Sequence, residues 1–253
     1  MRAAVQEGLK ARCSRMDVEL PYGARLGVEG VAKDAPVDVE QSDRELARLF
    51  VEMFDPIGDA TVVAFRTDKQ AAAARNLWGL GSYKGTVQSM EPKKSKVKKS
   101  GKKSRAGGFA KKLEAALGDD TEGPSAVVPA GTEVFVLVAP QEKELQMVES
   151  LDLGRDCLCI LLNARLDGDN NPQRTRLRAS FEGVFHLRAI GDASNDELLY
   201  RSYPKAWTLA RKPKVGPPKV VATFDSRPSA EEVAEAAAEG VAAASKGLFG
   251  GLF

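Results

Sequence analysis

The sequence is poor in the residues from which catalytic and metal sites are usually built. Its 253 residues include one histidine and three cysteines. A single histidine, His186, excludes a multi-histidine metal site and leaves one candidate for a Ser-His-Asp or Cys-His arrangement. Three cysteines are an odd number, which argues against a disulfide framework and for a reducing compartment. No run of about 18 apolar residues occurs, so we expect no segment to span a bilayer.

Positive charge is concentrated in one segment. Residues 93–112 hold ten Lys or Arg and no acid, and removing these ten from the 37 basic residues leaves 27 against 35 acidic. The segment lies in a stretch, 91–123, that is rich in Lys, Ser and Gly, so we expect a disordered insertion. It could contact RNA or anionic lipid by releasing counterions, although Phe109 is its only aromatic residue. The predicted contact residues are Lys93, Lys94, Lys96, Lys98, Lys99, Lys102 and Lys103.

The rest of the chain alternates between strands and helices. Apolar or alternating runs predict core strands near residues 15–20, 60–66, 133–139 and 157–162. Between them, helical spacing and start signals predict helices, one with a capping box of Ser42 and Glu45 and one that runs from Asp68 to Trp78. This order is typical of an α/β domain with a mixed, mostly parallel sheet that helices cover on its faces.

The pattern changes after Phe181. Short strand-like pieces at 181–190, 197–203, 206–211 and 219–224 predict an antiparallel meander that extends the same sheet. We therefore expect one domain over residues 1–227. Residues 228–253 follow as a helix, opened by a capping box of Ser229 and Glu232, and an apolar tail. The tail is predicted to dock in a groove of a partner protein or, alternatively, to pack on its own domain through Leu248, Phe249, Leu252 and Phe253.

The isolated reactive side chains have structural explanations. His186 lies inside a predicted strand, where a satisfied hydrogen bond is expected rather than catalysis. Cys157 and Cys159 are two residues apart on a strand and share a face, so we predict that they pack in the core. The oxygen-rich stretch 167–171 is typical of a turn and lacks the spacing of a calcium loop. We therefore predict no catalytic residue, no metal and no cofactor.

Six stretches, in this order, resemble a plastid and cyanobacterial family of unknown function that includes the low photosystem II accumulation proteins. They are DVELP (17–21), VVAFRTDKQAA (62–72), VLVAPQ (136–141), ILLNARL (160–166), FEGVFHLR (181–188) and LLYRSYPKAW (198–207). One departure is Ala164, where the family commonly has proline. The resemblance covers most of residues 1–211 and leaves out the lysine-rich insertion and the tail.

The resemblance implies a chloroplast protein, in the stroma or on the stromal face of the thylakoid. It further implies a non-catalytic binding or assembly factor for photosystem II, whose partners would be photosystem II subunits or other assembly factors. The family offers no established catalytic residues. The polar positions that could line a common site, or instead brace loops, are Asp68, Asn163, Arg165, Arg188, Arg201 and Tyr203. The alternative from the sheet alone is an enzyme or a nucleotide- or sugar-phosphate-binding protein with its site at the strand ends.

Overall fold

Nine strands in one sheet form the centre of the described fold. The computed structural model describes residues 1–21, 38–78, 83–91, 128–151, 153, 156–167, 171–190, 197–213 and 215–249, with only the backbone of 241–249. In chain order the strands are β1 (Arg15–Glu19), β2 (Thr61–Phe65), β3 (Thr86–Ser89), β4 (Val134–Val138), β5 (Leu158–Leu162), β6 (Glu182–Ile190), β7 (Glu197–Ser202), β8 (Trp207–Arg211) and β9 (Lys219–Phe224). Their order in the sheet is β3-β2-β4-β5-β1-β6-β7-β8-β9.

The first six strands of that order are parallel. The four predicted core strands are present, with each end within one residue of its expected position. The side chains of β2, β4 and β5 are buried on both faces, as their apolar runs predicted, and Val62, Val136 and Ile160 are at most 2% exposed. Strand β1 was predicted from alternation, but its polar residues Asp17 and Glu19 are buried as well. The predicted α/β fold with a mostly parallel sheet is therefore confirmed.

Helices cover both faces of the parallel strands. They are α1 (Arg2–Lys10), α2 (Val39–Val51), α3 (Asp68–Trp78), α4 (Glu142–Val148), α5 (Pro172–Ser180) and α6 (Ala230–Phe249), with a 3-10 helix at Glu52–Ala60. On one face, α1, α2 and α3 pack over a cluster that contains Met16, Val63 and Ile160. On the other, Leu145 of α4 and Leu177 of α5 pack with the opposite side chains of the same strands.

The predicted antiparallel meander is present from β6 to β9. Strand β6 joins the two halves of the sheet, because it is parallel to β1 and antiparallel to β7. Helix α6 packs on the meander through Val233, which lies in one cluster with Trp207 and Leu209. The predicted capping box is confirmed: the Ser229 amide donates to Glu232 at 2.7 Å, and the Glu232 amide donates to the Ser229 hydroxyl at 3.1 Å. The packing of Val233 against Trp207 and Leu209 holds the described start of α6 on the domain, while the division at 227/228 stays a prediction.

Three local features differ from the sequence-based expectations. The predicted cap at Ser42 is wrong, because α2 begins one turn earlier: the side chain of Asp38 accepts from the Gln41 amide at 3.1 Å. Strand β3 was not predicted, since its sequence TVQS has no apolar run. Helix α5 was also not predicted, because Leu177 is its single buried residue and no apolar stripe exists. Its start is fixed by the side chain of Asn171, which accepts from the amide of Gln173 at 2.9 Å.

Candidate functional site

A crevice of about 330 Å³ lies at the carboxyl ends of β2, β4 and β5. Arg66, Pro140 and Arg165 follow these strands and line it. Strands β2 and β4 are neighbours, but the chain leaves β2 through α3 towards the edge strand β3 and leaves β4 through α4 in the opposite direction, towards β5. Adjacent parallel strands whose connections diverge in this way open a crevice, which is the usual ligand site of open α/β sheets. We call it the switch-point crevice.

The switch-point crevice carries an excess of positive charge. Four arginines and two carboxylates line it, and a third carboxylate, Glu142, pairs with Arg174 from outside the lining, so the positive excess is one charge. The arginines come from α2, from the ends of two strands and from α5, so the crevice joins elements on both faces of the sheet. The six charged residues are Glu40, Asp43, Arg44, Arg66, Arg165 and Arg174.

A buried hydrogen-bond relay fixes the inner wall. Asn163, 2% exposed, donates through its side-chain nitrogen to Oδ1 of Asp43 at 2.6 Å, and its Oδ1 accepts from the Leu20 amide at 2.8 Å. Burial raises the pKa of Asp43, while the bond from Asn163 and the charge of Arg165 act in the opposite direction. The relay ties the ends of β5 and β1 to α2 beside the crevice.

The arginines of the crevice form long ion pairs. Arg165 Nη2 lies 3.7 Å from Oδ2 of Asp43, Arg66 Nη2 lies 3.6 Å from Oε1 of Glu40, and Arg174 Nε lies 3.4 Å from Oε2 of Glu142. Charge-assisted hydrogen bonds are usually about 2.7–2.9 Å long, so these contacts are weak ones. The arginine side chains are 20–22% exposed, which leaves them accessible to a ligand.

Arg44 adds a donor without an acceptor. Its Nε is buried and has no hydrogen-bond partner among the described residues. A buried donor that makes no hydrogen bond costs about 1–3 kcal/mol, and more for a charged group, so such atoms are rare in folded proteins. Arg44 lines the crevice, but its Nε is closed to solvent, so a ligand in the crevice does not reach this atom in the present arrangement.

The backbone at this edge of the sheet is strained. Ala139, Asn163 and Arg165 have φ values of 44°, 55° and 51°, in the left-handed region that non-glycine residues rarely adopt. Hydrogen bonds hold these conformations: the Ala139 amide donates to Leu162 O at 2.7 Å, and Arg174 Nη1 donates to Arg165 O at 3.2 Å. Strain of this kind costs about 1–3 kcal/mol per residue and concentrates at ligand sites. It is further support for a functional role of this edge.

A second polar cluster is buried between β1, β6 and the segment after β9. His186 Nε2 lies 3.3 Å from Oδ2 of Asp17, and its Nδ1 lies 3.7 Å from Oε2 of Glu19. Arg227 Nη1 donates to Oδ2 of Asp17 at 2.7 Å, and its Nη2 donates to Oδ2 of Asp167 at 3.0 Å. The Asp17 side chain is 0% exposed and that of His186 is 2% exposed.

The groups of this second cluster neutralise one another. Burial alone would raise the pKa of Asp17, but the charges of His186 and Arg227 lower it to about 2. Burial raises the pKa of Glu19 against the effect of His186. The His186 ring also packs on Trp207, with ring centroids 4.8 Å apart. The cluster therefore cross-links the fold from inside and presents no exposed reactive group.

A family model described as a domain of unknown function, DUF1995, matches residues 1–235. The chain belongs to this family. The matched span contains all nine strands and every residue that lines the switch-point crevice. No curated protein and no solved structure matches the chain.

Of the six polar residues predicted to share a family site, two belong to the switch-point crevice. Arg165 lines it, and Asn163 braces its wall. Asp68 lies on the far side of β2, where its carboxylate accepts from the hydroxyl of Ser89 on β3. Pro140, which follows β4, lines the crevice with Arg165, whereas Asp68 does not.

The other three predicted residues lie near the meander. Arg188 donates to Oδ2 of Asp167 at 3.1 Å. Arg201 donates to Gly183 O at 3.2 Å, and with Tyr203 it lines a separate cavity of about 600 Å³. The structure therefore divides the six residues between two places, and a role in ligand binding stays a prediction for these three.

Sequence reasoning missed most of the arginines of the crevice. Arg66 had a usable signal, because it directly follows a predicted strand at the edge where ligands bind. Arg44 and Arg174 had none, since each is one of several charged residues on its helix. Tertiary packing decides which side of α2 or α5 faces the strand ends, and the amino-acid pattern of each helix does not reveal it.

The other reactive side chains considered in the sequence are the two cysteines and the carboxylates near residue 167. Cys157 and Cys159 are buried in the core, as predicted, and burial raises the pKa of Cys159 to about 12. Within the residues that the structure describes, no group of three or more His, Cys, Asp or Glu could hold a metal ion. The Asp167 carboxylate is instead surrounded by Arg178, Arg188 and Arg227.

Two predicted contact surfaces lie outside the described residues. The lysine-rich segment 93–112 is one, and the tail is the other: Leu252 and Phe253 are not described, and Leu248 and Phe249 are described by their backbone alone. Of the helices that the structure describes, none combines the length and the apolar character that crossing a membrane requires.

Proposed function

We propose that this protein is a non-catalytic binding factor for photosystem II biogenesis or maintenance in the chloroplast, and that the switch-point crevice is its recognition site for an anionic group. The observation that carries the proposal is the placement of four arginines around a preformed crevice at the divergence of β2 and β4. Arginine presents a planar fork of donors that matches carboxylate and phosphate oxygens.

The chemistry of the crevice favours binding over catalysis. Its lining combines arginine forks with the carboxylates of Glu40 and Asp43, and Asp43 is already engaged by Asn163 and Arg165. The single histidine, His186, is buried under Trp207 on another part of the sheet. General acid–base catalysis needs a proton-transfer group within reach of the substrate, and the two lining carboxylates, Glu40 and Asp43, are each paired with an arginine.

The family resemblance and the geometry point to the same edge of the sheet. The stretches VVAFR, VLVAPQ and ILLNARL each run along a parallel strand and end at the switch-point crevice. DVELP ends there as well, because the Leu20 amide donates to Asn163. Those four stretches resemble the photosystem II accumulation proteins, so the crevice is the part of this chain best placed to carry the shared role.

The test is genetic, with crevice variants. Disruption of the gene in the organism that carries it should lower the ratio of photosystem II to photosystem I, measured by chlorophyll fluorescence and immunoblotting. The wild-type chain should restore the ratio, whereas Arg165→Gln/Arg174→Gln should not. The control is Arg176→Gln, which removes an exposed arginine from the same helix as Arg174. An unchanged ratio after disruption would refute the role in photosystem II, and full rescue by the double variant would refute the role of the crevice.

A further inference from the structure

We infer that the switch-point crevice binds a small phosphate monoester of about the size of a sugar phosphate. This inference rests on the proposed function and narrows its anionic group to one chemical class. Four arginines face three carboxylates once Glu142, the partner of Arg174, is counted, which leaves an excess of one positive charge. A phosphate monoester carries a charge of about −1.5 to −2 at pH 7, so it offsets this excess and competes with the exposed carboxylates for the arginines.

The hydrogen-bonding capacity of the crevice fits a group with several oxygens. Arg44 reaches the crevice from α2, and Arg165 and Arg174 reach it from two further directions. A phosphate group offers three terminal oxygens, each able to accept more than one hydrogen bond, whereas a carboxylate offers two oxygens in one plane. Donors that converge from α2, from the end of β5 and from α5 surround a tetrahedral group better than a planar one.

The present ion pairs are weak enough to be exchanged. The pairs of Arg66 with Glu40 and of Arg174 with Glu142 are 3.6 Å and 3.4 Å long, and these two carboxylate side chains are 57% and 40% exposed. A bound phosphate would replace them by short, charge-assisted hydrogen bonds. The acidic partners therefore compete with the ligand, and removing one of them should strengthen binding.

The volume limits the size of the ligand. At about 330 Å³ the crevice lies at the lower end of the range of roughly 300–1,000 Å³ that small-molecule sites occupy. A dinucleotide would exceed this space. Val138, Ala139, Pro140 and Ala164 provide apolar or backbone surface beside the arginines, which suits the carbon skeleton of a small sugar.

The test is isothermal titration calorimetry of the full chain with ribose 5-phosphate, with ribose and sodium sulfate as comparison ligands. Ribose 5-phosphate should bind, ribose should not, and sulfate should bind more weakly. Arg165→Gln/Arg174→Gln should weaken binding about tenfold or more, because each lost contact is a charged hydrogen bond. Arg176→Gln, on the exposed side of the same helix, should leave the affinity unchanged.

A second variant acts in the opposite direction. Glu40→Gln removes the competing carboxylate of Arg66 and should strengthen binding about twofold to fivefold, as expected for the loss of an exposed ion pair. Unfolding of a variant cannot produce tighter binding, so this gain in affinity is a clean readout. Circular dichroism of every variant checks the fold separately.

The failures of the two proposals are distinguishable. If ribose 5-phosphate does not bind but a glutamate-rich peptide binds in a way that needs Arg165, the phosphate inference is wrong and the proposed function stands. If ribose 5-phosphate and sulfate bind equally and independently of Arg165, the inference is wrong because the anion is held nonspecifically. If no anion binds, both the phosphate inference and the role of the crevice in the proposed function are wrong.

Discussion

Replacing Arg227 by methionine should destabilise the fold severely, although Arg227 lies in a loop. Its guanidinium donates to Oδ2 of Asp17 at 2.7 Å and to Oδ2 of Asp167 at 3.0 Å, and the three side chains are 9%, 0% and 10% exposed. Removing one partner of a buried ion pair costs about 3–5 kcal/mol, because the other charge stays buried without compensation. This is a large part of the 5–15 kcal/mol by which proteins of ordinary stability stay folded.

The pKa of Asp17 reports on the same cluster, in which His186 and Arg227 both favour the charged carboxylate. A folded-state pKa of about 2, against an ordinary value of 3.8, corresponds to about 2 kcal/mol in favour of the charged carboxylate. Because the folded-state pKa is the lower one, this contribution is present above pH 3.8 and is lost as the pH falls towards 2. The difference in stability between the wild type and Arg227→Met should therefore shrink over that range.

The assay is urea unfolding at pH 7.5, followed by circular dichroism. Arg227→Met should lower the free energy of unfolding by about 3–5 kcal/mol. The double variant Arg227→Met/Asp17→Asn should be more stable than Arg227→Met, since it removes the stranded charge. The control, Arg48→Met, breaks a pair of similar length, 3.1 Å to Glu52, in which both side chains are more than 40% exposed; it should cost at most about 1 kcal/mol. A loss below 1 kcal/mol in Arg227→Met, or a double variant less stable than the single one, would refute the reasoning.

Three further predictions concern other parts of the chain. Deletion of 93–112 should abolish salt-sensitive binding to anionic vesicles or RNA and leave the melting temperature nearly unchanged; a large drop in that temperature would make the segment part of the core. Truncation after Ser245 should reduce affinity capture of photosystem II subunits while the melting temperature holds, and the docking hypothesis fails if stability falls and capture persists. Gly183→Ala should lower the free energy of unfolding by about 1–3 kcal/mol in a thermal melt, because the new Cβ would lie 2.5 Å from Cζ2 of the buried Trp207; an unchanged melting temperature would contradict this.

The sequence predicted the sheet well because buried parallel strands carry their signal locally. Runs such as ATVVAFR and EVFVLVA are apolar on both faces, which few structures other than a covered strand require. Strand β3 and helix α5 carry no comparable signal, because TVQS is half-buried at an edge and PQRTRLRAS buries only Leu177. Those two elements were missed for that reason.

The candidate site was only partly predictable from the sequence. Arg165 was among the predicted polar residues and lies at the carboxyl end of β5, the edge at which ligands of open α/β sheets usually bind. Arg174 depends on an unpredicted helix, so no local pattern could have placed it at the crevice. The contact of Arg227 with Asp17 joins residues 210 positions apart, in a stretch without periodicity. Only the three-dimensional arrangement distinguishes these arginines from the others.

The two arginine-rich places in this fold use the same residue types for opposite purposes. Around Asp17 and Asp167, short contacts of 2.7–3.0 Å to Arg227 join side chains that are at most 10% exposed. In the switch-point crevice the corresponding pairs are 3.4–3.7 Å long, and the arginines of these pairs are at least 20% exposed. Short contacts between buried charges hold a fold together, because an exchange of partners would leave a charge buried and uncompensated. Long, accessible ion pairs with an excess of positive charge can exchange their carboxylate partners for a ligand. That difference is why we expect this protein to bind its ligand in the switch-point crevice rather than at the buried cluster around Asp17 and Asp167.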